Sequence, residues 1–276
     1  MKILDTLWKN KRYFLIVVFV VTISLILNNV SATGPLRWNR KQIKRLQSKK
    51  QATFTFAVLG DNRDGDNTFK YMLKSIDKHN YVFALDNGDL VNSGLNSQYL
   101  NFYNMIKNER TPFLVSVGNH DVQNNGATHY KRIFGRPYYS FSYSKSLFVV
   151  LDDSDQQGLG TVQAKWAEKE LKKHFTHKFV FLHVPPFDPR PGNDHSMKDP
   201  AKAKQFMALM RKYRVDVVFA SHIHGYFNSR KSGVKYIISG GAGAELIPDY
   251  PNNSFHNYVQ VNVTGSRVKT EVKKIP

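Results

Sequence analysis

The sequence predicts an α/β protein built as a four-layer α/β/β/α sandwich, two mixed sheets with helices on their outer faces, behind an N-terminal transmembrane or signal helix. Three observations point there. From residue 53 onward, β-prone apolar runs alternate with stretches whose apolar residues recur at helical spacing. Two regions break that rhythm with consecutive strands and no helix between them, as antiparallel additions to a layered sheet would. Five short polar motifs, Gly60-Asp61-Asn62-Arg63, Gly88-Asp89, Gly118-Asn119-His120-Asp121, His183 and His222-Ile223-His224, each fall just after a β-prone run.

Taken in order, the chain opens with a basic flank, Lys9, Lys11 and Arg12, before an uncharged apolar run at residues 13–27. That run is short for a free-standing span, which usually needs about 20 residues, and Val30-Ser31-Ala32 resembles a small-residue cleavage site. Residues 1–33 therefore read as a signal anchor or a cleaved signal peptide. The expectation is a single-pass cell-membrane protein with its body outside the cytoplasm, or a secreted one if cleaved after Ala32. The flank counts oppose that orientation: residues 37–50 hold seven basic and no acidic residues, against four basic residues before the run. Residues 34–52 read as a basic juxtamembrane linker. Leu36, Ile43 and Leu46 stand near helical spacing in it, so a helix lying on anionic lipid and a solvated linker are equally compatible.

The body, residues 53–276, is expected to be one domain, since no internal repeat or Pro/Gly-rich linker divides it. Strands are predicted over 53–59, 81–85, 113–117, 179–182 and 215–220, and helices over 68–79, 97–107, 162–174 and 200–213. Residues 138–150 read as a hairpin turning at Ser144-Lys145-Ser146, and 235–275 as three strands separated at Gly240-Gly241 and Thr264-Gly265. The chain has no cysteine, which excludes disulfides, thiolate metal sites and thiol nucleophiles. Its net charge is +19; with +3 of that in the first 33 residues, the remainder still carries +16. Such a surplus favours polyanionic partners: anionic lipid, a cell-wall polymer or nucleic acid. No obligate protein partner is implied.

The five motifs carry the chemistry. Residues at the carboxyl ends of neighbouring strands converge in space however distant they are in sequence. Two carboxylates, an asparagine and three imidazoles gathered there can hold two divalent ions, with one carboxylate bridging them. Asn119 offers a neutral oxygen, His120 a proton for a phosphate or leaving-group oxygen, and Asp121 a carboxylate to orient or charge that imidazole. His222 and His224 on an extended segment point to opposite sides and so can serve different ions. His79, His174 and His177 read as solvent-facing, His256 as structural, and His195, in a loop that leaves His183 beside the site, as a candidate substrate contact. Gly240-Gly241-Ala242-Gly243 reads as a tight crossing near the metals.

In order and spacing the motifs resemble the calcineurin-like metallophosphoesterase superfamily, whose pattern is D-x-H, G-D, G-N-H-D/E, H and G-H-x-H. The match spans residues 53 to 276, a metallophosphoesterase domain. The resemblance implies hydrolysis of a phosphomonoester or phosphodiester by in-line attack of a metal-held hydroxide. It implies two divalent or mixed-valence ions of Mn, Fe or Zn. Asp61, Asp89 and His224 would bind the first ion; Asp89 would bridge to the second, completed by Asn119, His183 and His222; His120, helped by Asp121, would protonate the leaving oxygen. Ser221 replaces the glycine of G-H-x-H, a small-for-small exchange. More consequentially, Arg63 stands where the family has the histidine of D-x-H, and an arginine has no lone pair for a metal. It would clamp a substrate phosphate or pair with Asp89 or Asp64; Asn62 and Asp64 are candidate replacement ligands. Two alternatives follow: a phosphodiesterase or nuclease acting on a polyanion, or a membrane-tethered binding protein with a decayed metal site.

Overall fold

The computed structural model describes residues 37–48, 51–192 and 194–276. The apolar run at residues 13–27, and with it the expected N-terminal helix, lies outside them. Among the described residues no helix is long and apolar enough to cross a membrane.

Two sheets form the middle of the molecule. The first holds β1 (Thr53–Leu59), β2 (Ala84–Asp86), β3 (Phe113–Val115), β10 (Asn257–Thr264) and β11 (Arg267–Lys274), in the order β11-β10-β1-β2-β3. The second holds β4 (Tyr139–Tyr143), β5 (Ser146–Val150), β6 (His177–Phe181), β7 (Val217–Ala220), β8 (Tyr226–Lys231) and β9 (Val234–Ser239), in the order β4-β5-β6-β7-β9-β8. β1, β2 and β3 run parallel, as do β5, β6, β7 and β9, while β4, β8, β10 and β11 pair antiparallel. Both sheets are therefore mixed.

The period-two alternation of the strands explains the layering. In β1, Phe54, Phe56 and Val58 enter the core between the sheets, while Ala57 and Leu59 face a separate core under helices. In β6, Phe179 and Phe181 enter the inter-sheet core and Val180 faces the helices on the other side. Strands buried on both faces read as continuous apolar runs, which is why their sequence signal is strong. At the centre Phe56 stacks on Phe83 with ring centroids 4.8 Å apart and meets Phe148 and Phe179 edge-on at 5.5 and 5.2 Å, geometries that suit the aromatic quadrupole.

The helices α2 (Asp66–Asp77), α3 (Asn96–Ile106) and α4 (Gly126–Ile133) contribute to the core outside the first sheet. Their counterparts α5 (Thr161–Leu171) and α6 (Pro200–Lys212) cover the second. α2 buries Phe69, Met72, Leu73 and Ile76, one stripe at helical spacing. α6 begins where the Asp199 carboxylate accepts from Ala201 N and Lys202 N, with Pro200 in the first turn.

The boundaries shift by a few residues from those expected, and three elements were not expected as such. α4 spans only eight residues, too few to show a periodic stripe, and β8 is an edge strand with a single buried side chain, Phe227. The third, α1 (Trp38–Gln47), lies within the expected linker at 34–52, where a helix is one of the two compatible readings. Trp38 and Leu46 are buried, and Trp38 Nε1 donates to Phe113 O at 2.7 Å. The Asn39 amide both donates to Val115 O and accepts from Val115 N, each at 3.0 Å, so a side chain does for the exposed edge of β3 what a further strand would. His177 also departs from expectation. Its ring is buried between Asp216 Oδ1 at 3.3 Å and Gly265 O at 3.0 Å, because β6 begins two residues earlier than its apolar run suggests.

If α1 belongs to the core, Trp38→Ala should cost about 3–5 kcal/mol in urea-induced unfolding of residues 37–276. A loss below about 1 kcal/mol would show that α1 is only laid against the body.

Candidate metal centre

The five motifs meet at the carboxyl ends of β1, β2, β3, β6 and β7, where backbone rather than side-chain geometry does the first work. Asp61, Asp89 and His222 have φ values of 60°, 57° and 69°. Left-handed backbone of this kind is uncommon outside glycine and clusters at functional sites. The loops are tied by Asp61 N to Gly88 O at 3.0 Å and Arg63 N to Asp89 O at 3.2 Å. Between the sheets, His222 N donates to Asp61 Oδ2 at 2.7 Å. Close packing requires glycine at two points. A Cβ at Gly118 would sit 2.3 Å from Asp89 N, and one at Gly240 would sit 2.6 Å from Asp61 Oδ2. The glycine-rich segment is thus the tight crossing its sequence suggested.

Three imidazoles are held by the same device. His183 Nδ1–H donates to Asn87 O at 3.0 Å, His224 Nδ1–H to Glu245 O at 2.7 Å, and His120 Nδ1–H to Asn92 O at 2.6 Å. In each ring a backbone carbonyl fixes the tautomer and leaves Nε2 free to face the centre, the arrangement typical of metal-binding histidine.

Two donor sets result, and they are unequal. Around His183 Nε2 lie Asn119 Oδ1 at 3.1 Å, His222 Nδ1 at 3.3 Å and Asp89 Oδ1 at 3.4 Å. The second set is looser: His224 Nε2 lies 3.6 Å from Asp61 Oδ1. Asp61, Asp89 and His183 each offer an atom within 4.8 Å of the others, and all three are buried. Asp61 Oδ1 is buried without a hydrogen-bond partner, an orphaned acceptor aimed into this cluster. Oxygen and imidazole donors with an unsatisfied buried carboxylate oxygen fit a divalent ion.

The remaining predicted residues fall nearby. His120, its side chain one-quarter exposed, places Nε2 3.9 Å from Asp89 Oδ2. His195 stacks on His222 with ring centroids 4.1 Å apart and 8° between planes. Arg63 reaches both acids named for it, Asp89 Oδ2 at 3.6 Å and Asp64 Oδ2 at 3.3 Å. Asp64 is turned outward to that pairing, while Asn62 Nδ2 donates to Leu90 O and its Oδ1 is buried without a hydrogen-bond partner. Asp121 takes a different part from the one its position beside His120 suggests. Its carboxylate accepts from Gly118 N at 2.8 Å, Asp89 N at 3.0 Å and Val91 N at 3.1 Å, so it clamps the loops that carry Asp89 and Asn119. The His120 ring is oriented by Asn92 O instead. Asn92 escaped sequence reasoning, as did Asp153, which accepts from His183 N and Val184 N. Asn92 lies three residues after Asp89 on the same loop, the one signal that could have singled it out.

Burial pushes the Asp61 and Asp86 carboxyls up, Asp86 further because Asp121 and Asp61 lie near it. For Asp89 the same burial is outweighed by His183 and His120, which hold its carboxyl below the usual range. Burial would keep His183 neutral, yet Asp89 and Asp61 raise it to about 10. Below that pH the ring carries a proton on the atom a metal needs. Bound metal must expel it, so affinity should climb about tenfold per pH unit across neutral pH and level off near pH 10. Calorimetric titration with Mn(II) in buffers of different ionisation enthalpy should show about one proton released per ion at pH 7.5; affinity independent of pH from 6 to 9 would contradict this.

The chain matches the calcineurin-like phosphoesterase model over residues 54–226. A purple acid phosphatase of Glycine max is 34% identical over 114 residues, covering 40% of this chain and 24% of that protein. A nucleotide pyrophosphatase/phosphodiesterase of Hordeum vulgare is 22% identical over 260 residues, 72% of this chain and 70% of that protein. Among solved structures, the purple acid phosphatase PPD1 from yellow lupin seeds shares the fold with a TM-score of 0.68 at 18% identity, over 82% of this chain and 52% of that one. The chain spans between about a quarter and a half of the length of the first curated relatives it matches. With the model match covering more than half of the chain and the motif residues gathered at the carboxyl ends of both sheets, the chain belongs to the calcineurin-like phosphoesterase family.

Proposed function

We propose that the protein is a metal-dependent phosphoesterase acting on a phosphomonoester or phosphodiester. The observation that carries this reading is the place of Asp89: one oxygen joins the donors around His183 and the other faces His120 Nε2. A single buried carboxylate thus sits between an ion-binding set and a proton donor. Asp89, Asn119, His183 and His222 would hold one ion; Asp61 and His224, with Asp89, form the set for another. Bound divalent ions would neutralise charge on the phosphoryl oxygens and lower the pKa of water there.

The chain's own residues supply the rest. His120 would hold a proton at Nε2 and pass it to the leaving oxygen, its ring kept in register by Asn92 O. Asp121 keeps Asp89 and Gly118 at fixed distance, so the ligand loops are preorganised rather than gathered by the substrate. His195, stacked over His222 and tied through its backbone N to Asp188 Oδ2, would line the approach. Diester hydrolysis is favoured by the +19 charge, which would attract a polyanion, and the names of the matched relatives include both kinds of activity.

The test is hydrolysis of p-nitrophenyl phosphate and bis-p-nitrophenyl phosphate by the full chain supplied with Mn, Fe or Zn. His120→Ala should lower kcat by about 10²-fold or more with bound metal per chain unchanged. Full activity in that variant would remove His120 from the mechanism. Absence of metal-dependent hydrolysis across the panel would leave a binding protein.

A further inference from the structure

The two halves of the centre differ in what stands opposite each oxygen of Asp89. Oδ1 faces the tight set around His183 Nε2. Oδ2 faces Arg63, whose Nε lies 3.6 Å away. That guanidinium is no loose surface group. It is 19% exposed, its Nη1 donates to Asn92 Oδ1 at 3.1 Å, and its Nε is shielded from solvent without a hydrogen-bond partner. Arg63 N is itself held by Asp89 O at 3.2 Å, so backbone and side chain both anchor the residue to the shared ligand.

This placement has an electrostatic consequence. A second ion at Asp61 and His224 would sit beside Asp89, whose Oδ2 is already paired with a permanent cation. Like charges in a buried site repel strongly because little water screens them. The same carboxylates still need compensation: Asp61 and Asp89 are both buried, and a buried carboxylate without a cation is costly. One divalent ion at the His183 set and one guanidinium at the other meet that need, and arginine, charged at every accessible pH, is suited to such a fixed role.

We propose that Arg63 is a resident cation standing in for the second ion, so that the centre loads one divalent ion per chain, held by Asp89, Asn119, His183 and His222. This rests on the metal-dependent reading above and narrows it. The protein then brings a metal and a guanidinium, rather than two metals, to the phosphoryl group. The Asp61–His224 half serves as scaffold: Asp61 Oδ2 fixes His222 N, and His224 is held by Glu245 O.

The experiment measures metal content, separately from activity. The full chain, stripped with chelator, is titrated with Mn(II) and followed by calorimetry, elemental analysis and electron paramagnetic resonance. The wild type should take up one ion with the spectrum of isolated Mn(II). Arg63→His, which restores the histidine of D-x-H, should take up two, with a second affinity at least about 100-fold stronger than any residual second binding in the wild type and the spectrum of a spin-coupled pair. Asp61→Asn, which leaves the His183 set and Arg63 in place, should still bind one ion, and it carries the test if Arg63→His fails to fold. Two ions per wild-type chain with a coupled spectrum would overturn the inference and leave the phosphoesterase reading standing. Loss of the single ion in folded Asp61→Asn would overturn it too. No ion in the wild type from pH 6 to 9 would sink both.

Discussion

A buried amide ties the two sheets together beside the site, and the site depends on it. Asn87, two residues before Asp89, is fully enclosed. Its Nδ2 donates to Leu182 O at 2.5 Å and Phe219 O at 3.0 Å, crossing from β2 to β6 and β7. Its backbone N donates to Leu59 O at 2.7 Å, and its carbonyl accepts from His183 Nδ1–H at 3.0 Å. The aromatic core lets the sheets pack; Asn87 fixes their carboxyl edges against each other. Without its side chain, Leu182 O and Phe219 O would each lose a donor, Phe219 O keeping that from Leu182 N, and the tie between the two sheets beside Asp89 would be lost.

From this stitch the polar organisation spreads outward. Asp121 gathers three backbone N–H groups from the two loops of the first sheet, and Asp153 gathers two at the exit of β6. Neither is presented to an ion. Both are carboxylates used as loop clamps, and the Asp121 clamp holds Asp89 N, one of the three residues with left-handed backbone beside the centre. The surplus of buried negative charge that results is the physical reason a cation belongs there, and Arg63 is the chain's own contribution to that balance.

Much of this was legible in the sequence, for definable reasons. The strands buried on both faces announced themselves as apolar runs, and each motif followed one of them, so the convergence of Asp61, Asp89, Asn119, His120, His183, His222 and His224 could be read without coordinates. The residues that stayed hidden act through partners distant in sequence. Asn87 meets carbonyls 95 and 132 residues away, and nothing in Asp86-Asn87-Gly88 signals them. The place of Asp121 beside His120 suggested a side-chain pairing, whereas its oxygens turned to the nearer backbone donors. α1 was obscured by its basic composition: the lysines and arginines suggested a surface partner, while Trp38, Asn39 and Leu46 were completing the edge of β3.

The central claim is that Asp89, Asn119, His183 and His222 hold the catalytic ion. It is tested most directly by anomalous scattering from crystals of the full chain grown with Mn(II). The strongest peak should lie between Asp89 Oδ1, Asn119 Oδ1, His183 Nε2 and His222 Nδ1. A principal peak bound to Asp61 and His224 instead, with none at His183, would contradict the account.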